Sequence, residues 1–434
     1  MSMNISGIRR SWMLGLVAGA LAGACAGPAS AQEAQGRASE DGSGLRFSGF
    51  GTLGASRVHA PAGWGFRRDL TQSASDARWR ADVDSRLGVQ ANYALSERWE
   101  LVGQVIARKR GTYAHDSDAV EWAYAGYRLN ADWTLRAGRV NVDSFLMADY
   151  RNVGYGFPTA RPPVDLYGVL PTTLDGMDVT RSWIHADVQW RAKIATGRAS
   201  IGDVDSAPQG DVHRLFAVMA SREEGGLLLR ASYAHMRIDM NPPVEAMNGL
   251  LQLASLPVPA AAAQASLLFR RAGARSHWGT FTGFGLRHEL ADWQWSAEWV
   301  RMAAEPLIRQ TSAYVVVGRR WGDWTPFVGY GRTHDAMPAL VVPDWQTTLA
   351  PVLGPAGAAQ AQELGAAATA AVNAARALQS TRLIGVRWDV HPQAALKLQW
   401  EHVDIRPIGS SLWSRANGAA GRAHVVTAVV DFIF

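Results

Sequence analysis

The sequence predicts an all-β chain, a transmembrane antiparallel β-barrel of about sixteen strands with short turns on one rim and long loops on the other. Three observations carry that reading. Apolar and polar residues alternate with period 2 in repeated runs between residues 46 and 434, short and long connections alternate between the runs, and the last run ends in an aromatic.

Composition removes the main rivals. After the N-terminus there is no uninterrupted apolar run of the roughly 20 residues that a membrane-spanning helix needs. Aromatics at 9% and apolar residues at 48% supply more buriable surface than a disordered chain has. A prior of roughly 150 residues per domain would divide the 434 residues into two or three units. The alternation, however, runs the length of the chain.

Residues 1–31 read as a cleaved secretory signal, with Arg9 and Arg10 as its positive start, an apolar stretch over 12–26, and Ala29-Ser30-Ala31 as the small-residue cleavage site. Mature protein then begins near Gln32, and 32–45 is a short N-terminal segment before the barrel at 46–434. The single cysteine, Cys25, falls inside the signal, and Leu21 sits one position too far upstream for lipoprotein processing. A mature chain without cysteine has no disulfide, thiol nucleophile or cysteine zinc site. It keeps 41 basic against 38 acidic residues, a net charge of +3 that argues against nucleic acid as a partner.

The strands follow in order. A first run at 46–56 is followed by the pairs 86–94 with 99–108, 120–129 with 134–140, 174–183 with 188–197, and 215–221 with 227–238. Then come 280–289 with 293–302, 313–320 with 325–333, 380–389 with 395–405, and a last run at 424–434. Turns within a pair have about three to five residues, while loops between pairs run from about ten to over forty, the rim asymmetry of outer-membrane barrels. Asp132-Trp133, Asp292-Trp293 and Asp323-Trp324 each place a turn aspartate before a strand-opening tryptophan. An indole is apolar with one N–H that wants a wet partner, so these residues suit a periplasmic aromatic girdle. The last run carries Val426, Ala428, Val430, Phe432 and Phe434 on one face, and its terminal aromatic resembles the insertion signal read by the barrel-assembly machinery. Two Ala- and Leu-rich loops stand apart: 248–270, and 354–379, the second read as a helix. They could cover the mouth, pack on a neighbouring protomer or enter the lumen.

Several motifs are set aside. Gly49-Phe50-Gly51-Thr52-Leu53-Gly54 matches the dinucleotide fingerprint but lies within strand alternation with no helix after it. His288-Glu289 lacks the second histidine of a zinc helix, and no nucleophile elbow occurs. A barrel hydrolase would need serine and histidine on one face, and Ser232 and His235 have opposite parity.

With a signal, about sixteen strands and an aromatic terminus, the chain resembles the Gram-negative porins. Arg136-Ala137-Gly138-Arg139-Val140, followed by Asn152-Val153-Gly154-Tyr155 and Arg161-Pro162-Pro163-Val164-Asp165, is similar to a proteobacterial porin-like subfamily. The resemblance implies a homotrimer in outer-membrane lipid and lipopolysaccharide, each barrel inserted by the barrel-assembly machinery through Phe434, with no cofactor and no catalytic residue. It also implies that the loop after the fifth strand, 141–173, folds inward and narrows the pore.

Parity assigns the lumen face. It places Arg86, Arg108, Arg128, Arg230, Arg287 and Arg387 inside, with Gln189, Arg191, Lys193, Lys397, Gln399, Glu100, Asp178, Glu298, Asp389 and Glu401. Basic groups outnumber acidic ones, so passive diffusion of small hydrophilic solutes with a mild anion preference is expected. The eyelet is expected to set Arg128 and Arg139 on the wall against Asp143, Asp149 and Asp165 of the loop, Arg139 resting on the family resemblance. A channel specific for organic acids or oligosaccharides, with Trp122 and Tyr124 as an aromatic track, is the alternative.

Overall fold

The computed structural model describes residues 44–111, 116–168, 173–201, 210–273, 276–414 and 418–434. The expected signal at 1–31 and segment 32–43 lie outside the described residues.

Sixteen strands close one antiparallel barrel. In chain order they are β1 Gly44–His59, β2 Arg86–Ala94, β3 Trp99–Arg108, β4 Val120–Arg128, β5 Trp133–Asn141, β6 Thr173–His185, β7 Val188–Ile201 and β8 Gly210–Glu224. They continue as β9 Leu227–Met240, β10 His277–Leu290, β11 Trp293–Ala304, β12 Ile308–Arg319, β13 Trp324–Asp335, β14 Ala377–His391, β15 Ala394–Ser410 and β16 Gly421–Ile433. Each pairs with its sequence neighbour, and β1 pairs with β16 from Phe50↔Ile433 to His59↔His424. Closure leaves no strand edge, the condition for β structure in hydrocarbon, where an unpaired N–H or C=O has no water to turn to.

The faces sort as alternation requires. On β16 Thr427, Val429 and Asp431 are buried inward while Ala428, Val430 and Phe432 face out, and on β15 Leu398 and Trp400 are exposed outside Lys397, Gln399 and Glu401. Trp133, Trp293 and Trp324 open β5, β11 and β13 and are exposed beside the short turns, as the Asp-Trp repeat suggested. Trp324 stacks on Trp388 with centroids 4.9 Å apart, and Arg181 lies over Trp133 and Trp183 at 5.6 and 4.8 Å. Outward arginines thus cross the same indole belt, their stems on apolar surface and their heads at the water boundary.

Two expectations change. The connection between β11 and β12 is only 305–307, not a loop of about ten residues, because β12 begins at Ile308 rather than 313. β8 likewise starts at Gly210 rather than 215. At the long-loop rim both faces of a strand meet water, so alternation vanishes from the sequence while backbone pairing continues.

The two Ala-rich loops form helices at that rim. A short turn, α1 Val164–Tyr167, belongs to the loop after β5; α2 Val244–Ala254, α3 Pro259–Arg271 and α4 Trp345–Ala374 pack on one another around Leu250, Ala261, Ala265, Trp345 and Leu349. This core is separate from the one inside the barrel. α4 starts earlier than expected, at an Asp344 cap that accepts from Thr347 N at 3.2 Å, and is broken at Gly354, whose φ of 71° precedes Pro355. No described helix is long and apolar enough to cross a membrane.

Phe434 fastens the seam. It donates to Gly49 O at 3.0 Å and accepts from Gly49 N at 2.8 Å, beyond the last residue of β16. Deleting Phe434 is therefore expected to lower the yield of compact, heat-modifiable barrel by roughly half or more, with Phe434→Tyr near the native yield. Gel mobility before and after heating checks this, and an unchanged yield on deletion would remove the seam's role.

Candidate functional site

Inside the barrel lies the loop that follows β5. Its described residues, 142–168, are mostly buried, and its backbone has no sheet partner, so each inward carbonyl needs a donor from elsewhere. Wall side chains supply these donors on both sides of the lumen.

On the β7–β12 side, Asp143 meets Arg230 at 2.9 Å, Lys193 at 2.6 Å and Arg191 at 3.2 Å. Burial alone would raise the Asp143 carboxyl, but the three cations outweigh it and hold it well below the usual carboxylate range. Ser232 Oγ donates to Ser144 O at 2.8 Å, and Leu146 N and the Tyr167 hydroxyl donate to Glu298 at 3.0 and 2.7 Å. Phe145 packs edge-on to Phe281 with centroids 5.3 Å apart.

On the β13–β2 side the grip is denser. Lys397 Nζ donates to Gly154 O, Phe157 O and Thr159 O at 2.6, 2.7 and 3.0 Å and pairs with Asp431 at 2.9 Å. Arg86 donates to Asn152 O at 2.6 Å, and Arg387 to Tyr155 O at 2.7 Å. Ala160 N donates to Gln399 Oε1 at 2.9 Å. At the centre Arg161, fully buried, pairs with Asp84 at 2.7 Å and with Glu401, and reaches Ser56 and Thr427. Burial would raise Asp84, yet Arg161 brings it down to about 2. Such a cation is costly to bury unless every donor is used, and here carboxylates and hydroxyls take them. The approach is close: a Cβ on Gly154 would sit 1.8 Å from Asp431 Oδ1, and one on Gly331 would sit 2.5 Å from Asp165 Oδ2.

The ten candidate residues therefore divide. Arg86, Arg230 and Arg387 hold the loop, and Arg287 reaches it through the Tyr150 hydroxyl at 3.5 Å. Arg108 holds the first long loop instead, through Asp69 at 2.8 Å. Arg139 does not face the loop. Arg136, of opposite phase, turns inward to Asp178 at 2.6 Å, so Arg139 three residues later turns outward to Asp175 at 2.8 Å. Arg128 is exposed at the last position of β4, next to the short turn, and meets none of the three loop aspartates. Asp149 remains partly open, 3.6 Å from Arg191 and 2.5 Å from Asn141 Nδ2. Asp165 is buried with Gln379 Nε2 as donor at 3.1 Å rather than a cation. Ser232 points inward and His235 outward onto Trp278, centroids 4.6 Å apart, so the wall separates them.

The side lined by β2–β7 is different. Gln90, Asn92, Glu100, Arg136 and Arg191 are half-buried there, and Gln104 donates to Gln90 and Gln90 to Asn92, both at 2.8 Å. Tyr124 lies under the Arg136 guanidinium at 5.0 Å. Arg136 and Arg191 were not among the eyelet candidates, although parity had already placed Arg191 inside; what the sequence lacks is which wall the loop leaves uncovered.

A closed sixteen-strand barrel with its long loop after the fifth strand drawn inside has known counterparts. The chain has the outer-membrane porin fold. Among solved structures, the outer membrane channel DcaP of Acinetobacter baumannii superimposes with a TM-score of 0.51 at 11% identity, over 92% of this chain and 99% of that one. The anion-selective porin from Comamonas acidovorans gives 0.51 at 10%, over 90% and 100%, and Salmonella typhi OmpF in complex with daunomycin gives 0.51 at 10%, over 92% and 99%. No protein-family model and no curated protein matches the chain. The barrel belongs in the outer membrane of a Gram-negative bacterium, with its short turns periplasmic and its long loops extracellular.

Asp165 offers a check on the loop's seating. Burial pushes its carboxyl from 3.8 up to about 6, so ionisation is penalised in the docked state. The penalty is absent below the ordinary value, grows as pH rises through about 4 to 6, and is fully present above that. Asp165→Asn is expected to stabilise the barrel by roughly 1–3 kcal/mol at about pH 7.5 and by nothing measurable below about pH 4. Thermal unfolding followed across pH reads this; a variant less stable than the native chain at high pH would contradict it.

Proposed function

We propose that this porin-fold barrel is a passive diffusion channel for small hydrophilic solutes, with the passage running between loop 142–168 and the β2–β7 wall. One observation supports this above the rest: the loop is clamped chiefly against the β7–β12 and β13–β2 walls, while Gln90, Asn92, Glu100, Arg136 and Arg191 on β2–β7 stay half-buried. In this reading the loop is the constriction, and its eyelet sets Arg136 and Arg191 on the wall against Asp149 on the loop. A mild anion preference rests on Arg46, Arg128, Arg136 and Arg191 facing this space against Glu100, Asp149 and Asp178, the other inward cations being held on the loops. The barrel acts without catalytic residues or cofactor, is inserted by the barrel-assembly machinery through its C-terminal Phe434, forms a homotrimer, and sits among lipid and lipopolysaccharide.

Liposome swelling with graded sugars tests it. Rates are expected to fall with solute size and to exceed empty liposomes several-fold, and the reversal potential in a KCl gradient is expected on the anion side, with Arg191→Gln moving it toward cations. Background swelling or clear cation selectivity would overturn the proposal.

A further inference from the structure

On the outer face, at the extracellular ends of three neighbouring strands, three histidines stand at one level. His59 on β1 is opposite His424 on β16, and His424 is opposite His402 on β15. All three have outward parity, and His402 lies two residues beyond Trp400, which is exposed on the apolar wall. Opposed side chains on adjacent strands start only about 4.5–5.5 Å apart at Cβ, so the register alone brings the rings together.

The pair on β15 and β16 is already close. Its two Nδ1 atoms are 3.3 Å apart and its ring centres 4.7 Å. Two nitrogens bound to one zinc ion at a tetrahedral angle lie about 3.3–3.4 Å apart, whereas adjacent corners of a square plane would set them about 2.9 Å apart. Neighbouring groups hold the rings in this pose. Trp400 stacks on His424 at 5.5 Å and on His402 at 6.1 Å. Asp404 Oδ1 lies 3.5 Å from His402 Nε2, so the carboxylate favours the ring proton on that nitrogen and leaves the Nδ1 lone pair to a metal. His59 is exposed, with its ring centre 6.3 Å from that of His424, where a side-chain rotation brings it to the pair. Among the described residues no three metal-ligating side chains are drawn together beforehand, so this rotation is the step the ion itself induces.

The surrounding charge selects the kind of ion. Arg382 and Arg422 flank the pair and are taken by Asp404 at 3.0 and 3.3 Å. Guanidiniums there disfavour a hard cation held by carboxylate charge, such as calcium, but do not compete for an imidazole lone pair.

We propose that His59, His402 and His424 form a zinc site on the outer rim, with Asp404 as the orienting carboxylate and water as the fourth ligand. The ion clasps β15 and β16 to β1 across the closing seam and takes no part in passage through the lumen. The inference uses only the register and the outward face of the barrel, so it is independent of the proposed channel.

The test uses the full chain without a polyhistidine tag, refolded in detergent, stripped with a chelator and titrated with zinc chloride in competition with a chromophoric chelator. Cobalt(II) serves as the spectroscopic probe. One zinc per chain is expected, with the visible bands of tetrahedral cobalt and a higher Tm in zinc. His402→Gln and His424→Gln are each expected to weaken zinc binding about a hundredfold, and His59→Gln and Asp404→Asn about tenfold, Asp404→Asn keeping the tetrahedral cobalt bands because it is not a ligand. His235→Gln, elsewhere on the outer wall, is expected to bind as the native chain does, and heat-modifiable mobility shows that each variant is folded. No retained zinc, an octahedral cobalt spectrum, or undiminished affinity in the double variant His402→Gln, His424→Gln would overturn the site, leaving the two imidazoles as a hydrogen-bonded pair. Undiminished affinity in His59→Gln would overturn the clasp across the seam. Failure of the native chain to swell liposomes would count against the channel alone.

Discussion

The grip of wall cations on an unpaired stretch of backbone is the constraint on which the interior depends. A loop inside a barrel has peptide groups but no ladder to place them in, and its carbonyls face a wall that is otherwise side chains. Lys397 answers three of them with one ammonium, and Arg86 and Arg387 answer others. Arg161 runs the other way, from the loop to Asp84 and Glu401. The exchange of cations and carboxylates in both directions makes the fit specific to one loop position, since a shift of one residue would strand charge on both partners.

That grip alters what lumen charge means. Counting inward basic residues suggests a positive pore, but Lys397 is offset by Asp431 and Arg387 by Asp389 while both hold the loop, so they present little net field to a passing ion. In the proposed channel, the groups on the β2–β7 side are the ones left to act on solute. The same physics operates outside the wall, where the indole belt carries stacked arginines.

Much of the barrel is legible in the sequence because hydrocarbon enforces alternation: all sixteen runs, their pairing order and the inward set Arg86, Arg230, Glu298, Arg387, Lys397 and Glu401 follow from period 2. Legibility stops where hydrocarbon stops. The rim extensions of β8 and β12, the tight 305–307 connection and the α2–α4 cluster lie in water, where nothing forces one face to be apolar. Arg139 shows a second limit. It stands three residues from Arg136, so only one of the two can face inward, and Gly138 between them, at φ 132°, blurs the phase that would decide which. The partners of Asp143 and Arg161 are 87 and 266 residues away at the extreme, contacts that only the loop's path creates.

The most direct measurement is single-channel recording of Arg86→Gln and Arg387→Gln, alone and together, across a roughly tenfold KCl gradient. If these arginines hold the loop, reversal potentials stay at the native value while current noise and spontaneous closures rise as the loop loosens. A quiet conductance with a reversal potential displaced toward cations would mean instead that they set the pore's field, contradicting the assignment of the inward arginines to the loop.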